Sequence, residues 1–60
     1  MPLSSKELTG IEDLLTEEKT MVKKLRGFSQ MTTNTQLKDL YTRSADKHQK
    51  HYDTLVGMLG

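Results

Sequence analysis

The chain has 60 residues, a formal net charge of +1 and no Cys. It is therefore one domain at most, near the lower limit for a self-sufficient core, with no disulfide and no thiolate metal site to help. A balanced charge argues against a nucleic-acid binder, and no apolar run approaches the ~20 residues of a membrane span.

The first element announces itself at Ser4. Ser4 is a helix cap with Glu7 three residues on, the spacing of a capping box, and Leu3 and Leu8 occupy the staple positions on either side. Pro2 stops backward extension, and Met1 is expected as the native start. The pattern predicts a helix from about residue 5 to about residue 29. Leu8, Leu15 and Val22 form one row, Ile11, Glu18 and Leu25 the next, and Leu14, Met21 and Phe28 a third. The row that holds Glu18 lies between the other two, so Glu18 is central, while Glu17 falls on the polar side. Gly10 and Gly27 weaken this helix, and Gly27 allows it to end early. Lys23, Lys24 and Arg26 read as a solvated face near a helix C-terminus, where cations are favoured.

Residues 30–33 read as the turn, with Thr33 capping the second helix and Gln36 reciprocating; Asn34 is the less favoured cap. The second helix is expected over about 34–58. Its inner face carries Leu37, Tyr41, Ser44, Ala45, His48, His51, Tyr52, Leu55, Met58 and Leu59, with Leu40 at the edge. Asp39–Arg43 and Asp46–Lys50 are acid-to-base pairs four apart. No alternation of period two suggests a strand. The fold class is all-α: an antiparallel two-helix hairpin. One face per helix is too little to bury, so the hairpin is expected to dimerise into a four-helix bundle.

Glu18, His48 and His51 demand an explanation, because a titratable group in an apolar stripe is costly unless it is paired or bound to a metal. With the turn near 31–32, Glu18 lies about level with Ala45 and His48 one turn further along. Side chains tilt toward their own helix N-terminus, so Glu18 and His48 converge, and His51 shares the face of His48. Three accounts stay open. The Glu can hold a His in a buried hydrogen bond, the simplest account, all three can bind zinc, iron or manganese, or the two His can form a pair at a solvated edge. Ser44 precedes His48 by one turn, but no third residue completes a nucleophilic arrangement, so no catalytic residue is assigned.

The stretch from Ile11 to Leu59 resembles the Coat F domain, a spore coat family of endospore-forming bacteria. The residues that carry the resemblance are EDLLTEEK (Glu12 to Lys19), LKDLY (Leu37 to Tyr41) and HQKHYDTL (His48 to Leu55). The family is related to the ferritin-like superfamily, in which one helix gives an inward Glu and its neighbour a Glu-x-x-His pair. The resemblance implies that Glu18 is the first-helix Glu and His51 the His of the pair, with His48 where the superfamily has Glu. A di-iron oxidase needs about four carboxylates and two His per site, whereas a dimer of this chain offers two Glu and four His. What it implies is a ferritin-like layout and a small non-catalytic coat-like structural or assembly protein. That protein would be a homodimer, with other coat proteins as partners, and would be cytoplasmic or in the spore coat. The alternatives are a metal-binding bundle for storage, sensing or redox work, and a helical adaptor whose apolar edge docks a partner helix.

Overall fold

A computed structural model describes residues 2–60; Met1, expected as the native start, lies outside them. Two helices make up the described residues, α1 (Ser5–Met31) and α2 (Thr35–Gly57), antiparallel and packed along their length in a body of 46 × 14 × 11 Å. The helical hairpin expected from the periodicity is what forms. No helix among the described residues is long and apolar enough to cross a membrane.

The start of α1 follows from its first four residues. The Ser4 hydroxyl accepts the Glu7 backbone N–H at 3.1 Å, and the Glu7 carboxylate accepts the Ser4 N–H at 2.9 Å. Two of the backbone donors that every helix start leaves free are thus satisfied reciprocally. The Ser4 backbone N–H, with its hydroxyl second, holds the Glu7 carboxyl below its ordinary value of 4.5. Leu3 and Leu8 line one open groove with Met58 and Leu59 of the opposite terminus, so the staple residues sit against the chain's other end.

Two boundaries differ from expectation. Gly27 does not end α1, which continues to Met31. There Thr32 turns to extended backbone and donates its N–H to the Phe28 carbonyl. The longer helix leaves Thr32, Thr33 and Asn34 as the whole connection. Thr33 therefore stays in the loop and Asn34 takes the cap, its Oδ1 accepting the Leu37 N–H at 3.0 Å. The expected Thr33–Gln36 reciprocal pair gives way to this single Asn cap. At the far end, Met58 and Leu59 donate to the Leu55 and Val56 carbonyls, tightening the last turn.

Burial is sparse, as one contacting face per helix implies. Ile11, Val22 and Ala45 are the buried apolar residues, with Ser29 buried beside them. The rest of both inner faces is half-exposed or exposed, because two cylinders touch along a line and bury only the residues on it. Near the turn the contact is polar. Ser29 meets Thr42 hydroxyl to hydroxyl at 2.8 Å, and Thr42 donates to the Lys38 carbonyl at 2.8 Å. Phe28 packs tilted against Tyr41 with ring centroids 5.4 Å apart. The Asp39–Arg43 pair forms at 2.9 Å. Asp46 reaches across to Arg26 at 3.3 Å rather than pairing with Lys50, since the facing helix brings a guanidinium within range.

Two measurements check these ends. Asn34→Ala is expected to lower unfolding free energy by about 1 kcal/mol and Thr33→Ala by less than about 0.5, read from urea denaturation. Because the Glu7 carboxyl is lowered in the folded state, its contribution is full above 4.5 and is lost as pH falls through and below that value. Helicity of the α1 N-terminus, read by NMR chemical shifts of residues 4–8, should fall over that interval, and Glu7→Gln should remove the acid dependence.

Candidate functional site

Glu18 stands at the middle of α1, on the apolar stripe, with Leu14 one turn before it and Met21 one turn after. Its side chain has little room: 18% is exposed, against 32% for His48 and 59% for His51. A carboxylate so enclosed needs donors, and α2 provides them. Nδ1 of His48 lies 2.8 Å from Glu18 Oε2 and donates to it. Nδ1 of His51 faces the same oxygen at 3.6 Å. The two imidazoles meet edge to face, with centroids 5.6 Å apart and planes 84° to one another.

The three residues singled out from the sequence are thus brought together. The register that does so is slightly different. The connection centres near 33 rather than 31–32, so Glu18 lies opposite His48 and His51 instead of Ala45. Ala45, buried completely, fills the space beside them without competing for the carboxylate. A larger residue there would push the helices apart at the level of the trio.

The geometry permits both chemistries raised by the sequence. As it stands, the Glu18–His48 hydrogen bond satisfies the enclosed carboxylate, and no buried polar side-chain atom among the described residues lacks a partner. The same three residues also offer one ligand atom each, all within 4.8 Å of one another. Ligand atoms around a tetrahedral ion with ~2.0–2.1 Å bonds stand about 3.3 Å apart. The Glu18–His51 distance of 3.6 Å is close to that, and the Glu18–His48 distance of 2.8 Å must open by about half an ångström. Two imidazoles and a carboxylate suit zinc, iron or manganese, and three ligands leave at least one coordination position free.

Around the trio the two flanks of the hairpin differ. One flank carries Leu14, Met21 and Phe28 on α1, each between 38 and 46% exposed. Beside them on α2 run Leu37, Ser44, His51 and Met58, seven residues apart and therefore in line. His51 belongs to that line, so the trio opens onto the apolar flank. The other flank is a shallow groove lined by Lys19, Val22, Lys23, Gln49 and Tyr52. Sequence reading missed the Ser29–Thr42 pair, which sets the register near the turn. Ser29 had been placed at the end of a helix that in fact continues, and a Ser and a Thr thirteen residues apart carry no signal of contact.

Removing the Glu should be felt more than removing the outer His. Glu18→Ala is expected to lower stability by about 1–2 kcal/mol, partial exposure screening the pair, and His51→Ala by less than about 0.5, both from denaturant midpoints. A His51→Ala loss of about half the Glu18→Ala loss would mean that the two imidazoles share the carboxylate evenly.

No protein-family model, curated protein or solved structure matches this chain, so the reading of the site rests on its geometry.

Proposed function

We propose that this chain is a small, non-catalytic structural or assembly protein, of the kind that builds spore coats, whose hairpin pairs with a second copy into a four-helix bundle of ferritin-like layout. The observation that carries the reading is the apolar flank of Leu14, Met21, Phe28 and Leu37, which the packing of α1 on α2 leaves exposed. Such a flank on a small domain marks a surface that another helix covers.

The exposed area supports pairing quantitatively. A compact folded chain of 6.9 kDa exposes about 4,000 Å². This hairpin exposes 4886 Å², about 900 Å² more. A standard protein–protein interface removes about 800 Å² from each partner. The surplus thus corresponds to one interface. The polar flank edged by Lys19 and Lys23 is the poorer candidate, because lysines are depleted at interface cores. A coat-like role follows the resemblance carried by Glu12–Lys19, Leu37–Tyr41 and His48–Leu55. Other coat proteins are then the natural neighbours of the dimer, in the spore coat or in the cytoplasm that assembles it.

A second reading is favoured by one observation, the convergence of Glu18, His48 and His51 within 4.8 Å. On that reading the bundle holds a divalent zinc, iron or manganese ion for storage, sensing or redox work.

Sedimentation equilibrium of the full chain at micromolar concentration tests the first reading. The expected mass is twice 6.9 kDa. Met21→Lys with Phe28→Lys should shift the population to monomer and reduce unfolding cooperativity. A wild-type monomer that unfolds cooperatively at that concentration would overturn the dimer and leave the flank to a different partner helix.

A further inference from the structure

The trio sits where two copies of the hairpin would meet. Glu18 is the central residue of α1, thirteen from Ser5 and thirteen from Met31. His48 lies two residues past the centre of α2. Homodimers close by a two-fold axis. An axis running along the hairpin keeps each residue level with its own copy. An axis crossing the hairpin at its middle exchanges the ends and keeps only the central residues level. Glu18 and His48 satisfy both conditions closely and stay level with their copies under either axis, whereas His51, five residues past the centre of α2, stays level with its copy only when the axis runs along the hairpin. The apolar flank decides the side on which the copies meet, since His51 stands in line with Leu37 and Met58 on that flank.

Pairing alone would bury the outer imidazole of each copy. In the single hairpin His51 is 59% exposed and its Nδ1 is 3.6 Å from Glu18, too far for a good hydrogen bond. Covering it with Leu14, Met21 and Phe28 of a second copy would remove its water without giving it a partner, which is unfavourable. A metal ion resolves this. It would take Glu18, His48 and His51 as ligands and so give the covered imidazole a partner, with at least one coordination position left free.

We propose that metal binding at Glu18, His48 and His51 and pairing of two hairpins through the Leu14–Met21–Phe28 flank are one linked equilibrium. The inference rests on both the dimer and the metal reading above. Linkage is reciprocal: a metal that binds the dimer better than the monomer lowers the dimer dissociation constant, and pairing tightens the metal by the same factor.

The test is a dilution series of the full chain by sedimentation velocity, after chelator treatment and again with zinc chloride, beside calorimetric titration of zinc. The readout is the ratio of dimer dissociation constants without and with zinc. A ratio of about ten or more is expected for the native chain, within the usual range of coupling between sites. Glu18→Gln and His51→Ala should each bring the ratio to about one. Circular dichroism of the exposed-site variant His51→Ala keeps loss of folding apart from loss of coupling. Zinc that binds with a ratio of one overturns the linkage while leaving the metal site. Zinc that does not bind overturns the metal reading and the linkage with it. A chain that stays monomeric in both conditions overturns the pairing.

Discussion

The hairpin is governed by a mismatch of widths. Each helix carries an apolar stripe three rows wide, and a pair of helices in contact can enclose about one row of each. Ile11, Val22 and Ala45 occupy the enclosed line; Leu14, Met21, Phe28 and Leu37 lie beside it, exposed. Hydrophobic burial scales with the area withdrawn from water, so most of the stabilisation encoded in these stripes is not realised within one copy. The polar contacts near the turn, Ser29 with Thr42 and Arg26 with Asp46, fix alignment more than they stabilise, being partly or fully exposed.

Against that background the placement of Glu18 makes physical sense. An ion pair or hydrogen bond at a helix–helix contact contributes little net stability, yet it fixes which residues stand opposite which. The Glu18–His48 bond at 2.8 Å performs that role for α1 and α2. It also sits at the border between the enclosed line and the apolar flank, so the same carboxylate serves the inner contact and faces the outer one. His48 belongs to the inside and His51 to the flank, which is why two residues of one type, three apart, differ almost twofold in exposure.

How far the sequence disclosed this depends on the residue. The capping box at Ser4 and Glu7 was fully legible, because its signal is local: two side chains and two backbone N–H groups within one turn. The convergence of Glu18, His48 and His51 was legible from helical periodicity and the tilt of side chains. The capping of α2 by Asn34 rather than Thr33 was not. Both residues are good caps, and with α1 running on past Gly27 to Met31 the connection is three residues long and Asn34 stands next to the first residue of α2. Asp46 was likewise misassigned to Lys50, since a pair within one helix can be counted along the chain and a cross-helix guanidinium cannot. The burial of so few apolar residues was legible as well, since two helices can enclose only one face of each; which residues fall on the enclosed line was not.

The three-residue connection orders the way the hairpin closes. Contacts between the helices are spaced ever further apart along the chain as they recede from the turn: nine residues for Ser29 with Lys38, thirteen for Ser29 with Thr42, twenty for Arg26 with Asp46, thirty for Glu18 with His48. Each contact brings the next pair within reach, so the chain zips from the turn outward and the entropy of closing a long loop is never met in one step. The Glu18–His48 contact comes midway in that sequence, before Leu3 and Leu8 meet Met58 and Leu59. Fraying from the end remote from the turn would therefore reach the trio while Ser29 and Thr42 are still together, and would turn the carboxylate and both imidazoles toward water without opening the turn.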